Sequence, residues 1–210
     1  MTEPVEKCSH ARHEKGCQTR HRIIEAATAI LAEEGAVGLT TRTVCEKAGI
    51  GKGSLYHHFE NTHELIIEVY RHFMEHYFGA MIEQEFTSVD DFFLKFGEQA
   101  IAQISASYKL RERSLSLLPE LLADERFVSD ALGKSTAMQQ ALVGKLSTLA
   151  GGEVPNAVLR DSVLALITLL EGTESLLIFT HDEERFRAMW KMAAKLLADN
   201  VKLHTKRSAS

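Results

Sequence analysis

Strand signals are scarce in this chain, and their scarcity settles the fold class first. No run alternates β-branched and polar residues between turn-forming ones, whereas apolar residues recur at helical spacing almost from end to end. The sequence therefore predicts an all-α protein. Proline is nearly missing, with three in 210 residues, and Pro119 and Pro155 fall where helices start or bend. The three cysteines, Cys8, Cys17 and Cys45, are too few and too odd in number for a disulfide framework. No unbroken apolar run is long enough for a membrane span: Leu164 to Phe179 is interrupted by Glu171, Gly172 and Glu174. The opening MTEPVEK is acidic and polar, unlike a secretion signal. These absences point to a soluble cytoplasmic protein, with reduced cysteines and no membrane partner.

A positive excess is also lacking. The net charge is −5, which argues against a generic polyanion binder, but the distribution matters more than the sum. Residues 1–60 carry eight Lys/Arg against eight Asp/Glu, together with five of the ten histidines. Residues 61–210 carry sixteen against twenty-one and hold the whole deficit. Only the N-terminal region is placed to approach phosphate. Catalytic signatures are missing too. There is no nucleophile–base–orienter set, no Gly-rich phosphate loop after a strand, and no HExxH. The sequence does not read as an enzyme.

What is present is a succession of helix signals. Residues 1–18 lack periodicity and are expected to form a loose arm. A first helix is expected from about Thr19 to Glu34, with Ile23, Ala27, Ile30 and Leu31 on one face and Gly35 as its stop. Thr40 can cap a second helix, Thr41 to Ala48, which Gly49 ends. A third short helix covers Lys52 to about Phe59. Asn61 and Glu64 form a capping-box pattern that starts a long fourth helix to about Met81. About five further helices follow, divided near 88–91, 106–109, 123–125, 150–155 and 180–184.

Two short helices joined by a Gly-containing turn, after a longer helix that packs across them, make a helix-turn-helix. Val44, Ala48, Ile50, Leu55 and Phe59 form the inward apolar set. Gly51, Gly53 and Ser54 let the front of the third helix approach a groove closely, and its N-terminal partial positive charge favours phosphate. Lys52, Tyr56 and His57 supply donors on the outward face.

The run GLTTRTVCEKAGIGKGSLYHHFENTHEL, residues 38–65, resembles the TetR family of transcriptional regulators: a Thr-capped helix, an Ala-Gly-hydrophobic turn, then a Gly/Ser-hydrophobic-Tyr recognition helix ending in Phe. With the first helix the resemblance covers residues 19 to about 70. It implies DNA contacts from Thr41 (phosphate), Arg42 (a base edge), Lys52, Gly53 and Ser54 at the front of the recognition helix, Tyr56 (phosphate), and the rings of His57 and His58. An arginine can grip guanine bidentately. One position departs from the pattern: Thr62 and His63 stand where the family usually starts its fourth helix with a lysine.

The resemblance further implies a C-terminal bundle that binds a small molecule and forms a homodimer. Candidates for the pocket are Phe73, Tyr77, Phe93, Phe96 and Tyr108, with Glu171 and Glu174 inside an apolar helix. Two apolar seams near the chain's end are candidates for the dimer interface: Leu159, Val163, Leu166, Ile167 and Leu170, then Phe186, Met189, Trp190, Ala193, Leu196 and Leu197. Two sets of metal-capable residues are present, Cys8/His10/His13/Cys17 and His72/His76. Neither matches a structural zinc motif, and no metal or cofactor is assigned. Cys45 beside Val44 reads as core.

The resemblance thus implies a ligand-responsive repressor, released by a small-molecule effector from a pseudopalindromic operator in double-stranded DNA. Residues 1–18 form the arm, 19–65 the DNA-binding domain, and 66–210 the regulatory and dimerisation domain. A metal- or small-molecule-sensing protein, in which DNA reading is secondary, is the alternative.

Overall fold

The computed structural model describes residues 11–151 and 154–208. Among the described residues there are helices and no strand, as the sequence predicts: α1 (Ala11–Glu34), α2 (Thr41–Ala48), α3 (Lys52–His58), α4 (Thr62–Glu83), α5 (Val89–Ser114), α6 (Leu118–Leu122), α7 (Glu125–Ala150), α8 (Asn156–Thr180) and α9 (Glu183–Ser208). Single 3-10 turns precede α2 and α6.

Local chemistry accounts for most of the boundaries. Gly49 ends α2 in the left-handed region at φ 66°, a conformation that favours glycine. Asp124 caps α7 by accepting from the amides of Arg126 and Phe127. Pro119 lies in the first turn of α6, where a missing N–H costs nothing. The break expected near 106–109 is a kink: α5 continues through Ser107, whose φ and ψ (−126°, 20°) leave the helical range. Helix α1 begins at Ala11, eight residues before its expected start, and so takes up part of the expected arm. A single interior glycine, Gly16, costs only about 1 kcal/mol against alanine, too little to stop it.

The chain divides into two compact units. The first holds the residues up to Glu75 together with Lys109–Ala123. Its core is built from Ile23, Ala27, Ile30 and Leu31 of α1, Val44 and Ala48 of α2, Leu55, Phe59, and Leu65 and Val69 of α4, all buried. The sequence places 66–210 in one domain, but 109–123 belongs here instead. Arg111 is buried with its guanidinium 5.0 Å from the centre of the Phe73 ring, and Leu117 and Leu121 are buried. These contacts join residues far apart in the chain, which periodicity cannot register. Cys45 is free and buried in this unit. Cys17 is disulfide-bonded, against the expectation of reduced cysteines.

The second unit runs from His76 to Tyr108 and from Asp124 onward. Phe92, Phe93, Phe96, Ile101 and Ile104 of α5 pack with Leu142 and Leu146 of α7, Leu159, Val163 and Leu166 of α8, and Trp190, Ala194 and Ala198 of α9. The seams named as dimer candidates therefore need correction. Leu159, Val163, Leu166, Leu170, Phe186 and Trp190 fill this unit's own core, and Ile167, Met189 and Leu197 pack partly buried against it. Ala193 is half-buried, and of the named positions only Leu196 is well exposed. Apart from Leu196, the outward apolar residues are different ones: Leu164, Leu169, Leu176 and Phe179 on α8, and Met192 and Leu203 beside Leu196 on α9. Helix α8 is apolar on more than one side, so helical spacing alone cannot tell its inner stripe from its outer one.

Candidate nucleic-acid interface

The placement of α2 is fixed at both ends. Thr40 and Thr43 cap it reciprocally, the Thr43 amide donating to Thr40 Oγ1 at 3.2 Å and the Thr40 amide to Thr43 Oγ1 at 3.1 Å. At the other end Arg22 Nη2 donates to the Ala48 carbonyl at 2.5 Å, satisfying a terminal acceptor from α1. Lys47 Nζ reaches Glu33 of α1 at 2.6 Å. Helix α3 follows after Gly51 and buries Leu55, with Phe59 buried just beyond its end. Arg20 of α1 lies 5.0 Å from the centre of the Phe59 ring and pairs with Glu68 of α4 at 2.5 Å. Helix α4 starts with the Glu64 amide donating to Asn61 Oδ1 at 2.9 Å. The return bond differs from a capping box, since Glu64 Oε2 accepts from the amide of Glu60 at 2.5 Å.

On this frame most of the outward residues are open to solvent. Lys52, Gly53, Tyr56 and His57 are exposed, and Thr41, Ser54 and His58 are half-buried. The hydroxyls of Thr41 on α2 and Tyr56 on α3 lie 3.3 Å apart, which brings two hydroxyl donors from different helices to one place. A phosphate oxygen between them could accept from both. Arg42 extends from the same end of α2, its Nε donating to Glu46 Oε1 at 2.8 Å. A Cβ added at Gly51 or Gly53 would meet nothing within 4 Å, and neither glycine has a positive φ. No described residue demands glycine there, which fits an approach from outside.

The half-buried His58 ring has its pKa lowered, first by burial and then by the neighbouring charges of His57 and Arg20. His63, at the position that departs from the family pattern, places Nδ1 2.9 Å from Glu120 Oε1 of α6.

The proposed pocket residues separate. Phe96, Glu171 and Glu174 line one shallow cleft in the second unit, together with Met81, Met138, Ile167 and Leu170, with room for little more than a water molecule. Phe93 is core, Phe73 lies under Arg111 in the first unit, and Tyr108 stacks edge-on against His181 at 4.7 Å. The side chain of Tyr77 lies outside the described residues. The four further lining residues are ordinary apolar helix positions, and nothing in the sequence distinguishes them from core. Among the described residues no group of three or more metal-capable side chains converges. Cys8, His10 and the side chains of His13 and His76 lie outside them, and His72 packs edge-on against His21 at 5.5 Å.

Residues 23–69 match the model for bacterial regulatory proteins of the tetR family. The HTH-type transcriptional repressor KstR2 of Rhodococcus jostii (strain RHA1) is 30% identical over 115 residues, which cover 51% of this chain and 54% of that protein. KstR2 of Mycobacterium tuberculosis is 41% identical over 60 residues, 29% of this chain and 30% of that one. The chain thus spans about half, or less, of the curated relatives it matches. Among solved structures, Salmonella enterica GusR superposes with a TM-score of 0.66 at 20% identity, covering 95% of this chain and 98% of that one. FadR from Bacillus subtilis, in complex with stearoyl-CoA, gives 0.63 at 15%, covering 86% and 98%. Residues 23–69 thus carry the helix-turn-helix region of the tetR family of bacterial regulatory proteins, and part of the chain is similar to curated repressors.

Proposed function

We propose that this protein is a dimeric, cytoplasmic, ligand-responsive transcriptional repressor that binds a pseudopalindromic site in double-stranded DNA. The observation that carries the reading is the joint presentation of Thr41 and Tyr56, hydroxyls 3.3 Å apart on two separately anchored helices, beside the exposed Arg42 and Lys52. Hydroxyls and lysine position the backbone, and arginine reads a base edge. A second copy, docked through the outward apolar residues of α8 and α9, presents a second recognition helix, and two-fold symmetry makes the site palindromic.

The effector is a small molecule held by the C-terminal bundle, and the shallow cleft lined by Phe96, Met81 and Met138 has to widen to admit it. FadR, which shares the fold, holds stearoyl-CoA, and that precedent supports a small-molecule role for the bundle. Occupancy of the cleft favours a state whose two recognition helices no longer match successive major grooves. Selection from a randomised duplex pool tests the reading. Recovery of an inverted repeat, with half-sites one helical turn or a small multiple apart, is the expected result. An asymmetric single half-site bound by a monomer would contradict it.

A further inference from the structure

We infer that Glu46 is a positioning residue for Arg42, and through it a determinant of which base pair the protein prefers. The inference rests on the DNA-reading role proposed above and adds a residue that no motif assigns.

Arg42 and Glu46 sit one turn apart on α2, and both side chains point to solvent, 83% and 63% exposed. Neither contributes to the core. The carboxylate takes up one donor, Nε, at 2.8 Å. A guanidinium has five N–H groups, so the terminal Nη groups still carry the pair of parallel donors that fits guanine O6 and N7. A long side chain that otherwise samples many rotamers is thereby held near its middle, with its reading end open. Its base is fixed as well, because α2 is capped at Thr40 and tied to α1 through Arg22 and Lys47.

The ordinary reading is a solvated i,i+4 pair that adds a little to helix stability, and the order of the charges argues against it. Paired charges stabilise a helix better with the acid N-terminal to the base, and the helix dipole favours anions at the start and cations at the end. Here the cation occupies the first turn of α2 and the anion its second half. Both charges stand at the less favourable end. A carboxylate on a surface that meets phosphate also costs affinity for every DNA sequence. Placement that serves neither the helix nor general affinity is expected where specificity is the gain: Glu46 disfavours all DNA alike, while the oriented Arg42 favours one base pair. The raised Arg42 pKa, owed first to the Glu46 hydrogen bond and then to its charge, agrees with the pairing.

The test is selection from a randomised duplex pool with wild type, Glu46→Gln, Arg42→Ala and the double variant, each as the full chain. Titrations on the recovered duplex, on that duplex changed at single base pairs, and on unrelated DNA complete it. Glu46→Gln is expected to bind unrelated DNA about two- to fivefold more tightly, as one repelling charge is lost. Its preference at one base pair per half-site should fall by about fivefold or more. Arg42→Ala should lose preference at the same base pair, and Glu46→Gln should change nothing further there in that background. A uniform gain with every preference intact would reduce Glu46 to a repelling surface acid and overturn the inference. Loss of preference at a different base pair, persisting without Arg42, would make Glu46 a reader itself, and overturns it too. Absence of sequence preference in wild type removes the DNA-reading role, a failure recognisable before any variant is compared.

Discussion

The indole of Trp190 on α9 lies directly over Gly97 on α5, and its Nε1 donates to the carbonyl of Phe93 at 3.0 Å. A Cβ at position 97 would stand 1.6 Å from Trp190 Cε2, so the glycine is required by close approach and not by backbone angles. Gly97→Ala should destabilise the second unit by about 3 kcal/mol, at the upper end of overpacking costs, because a fully buried indole has nowhere to move. Trp190 is the chain's single tryptophan, so urea unfolding followed by its fluorescence reads this directly. An unchanged midpoint would show that the indole has a second seat.

Much of the first unit is legible in the sequence because its rules are local. Thr40 and Thr43 are three residues apart, Gly49 needs only its own φ, and Val44, Ala48 and Leu55 follow from helical spacing. What escaped depends on residues far apart in the chain. Arg22 satisfies the Ala48 carbonyl across 26 positions, and His63 meets Glu120 across 57. No periodicity registers either contact. The C-terminal helices failed differently: Leu164 and Leu166 are equally apolar, yet one is exposed and the other buried. Only packing decides which faces inward.

The contacts proposed for DNA separate by their salt dependence. Tyr56→Phe removes one neutral donor and should weaken binding by about 0.5–1.5 kcal/mol on all sequences, with the salt slope little changed. Lys52→Ala removes a charge and should lower that slope by about 1. Fluorescence anisotropy on specific and random duplexes between low and physiological salt distinguishes the two. Normal binding by Tyr56→Phe would mean that α3 meets the backbone through other groups.

Stability should depend on pH through His58. Its pKa in the folded protein is lowered, mainly by burial, so below the ordinary histidine value of about 6.5 the unfolded chain takes up a proton more readily. The contribution is therefore present above that value and lost as pH falls towards the folded pKa. The urea midpoint of the first unit should drop between pH 7.5 and 5.5, and less so in His58→Gln. Equal drops in both proteins would assign the acid sensitivity to other groups.

The dimer proposal can be separated from the folding of the bundle, because buried and exposed apolar residues alternate along α8. Leu166 is completely buried, whereas Leu176 and Phe179 are 56% and 74% exposed, as is Leu196 on α9 at 64%. A charge at Leu166 therefore strands an unpaired carboxylate in the core and should unfold the second unit. A charge at Phe179 or Leu196 enters a site already open to water in a single copy, so it has no reason to unfold anything. Either Phe179→Glu or Leu196→Glu should leave helix content and the Trp190 signal intact while converting dimer to monomer in sedimentation. A permanent interface on these helices should bury well over about 1,000 Å² and persist at sub-micromolar concentration. Because two linked recognition helices bind far more tightly than one, the same variants should lose the palindrome by orders of magnitude while retaining weak binding to unrelated DNA. A folded Phe179→Glu, Leu196→Glu double variant that remains dimeric would place the interface elsewhere, and a wild-type chain that sediments as a monomer would remove both the dimer and the palindrome.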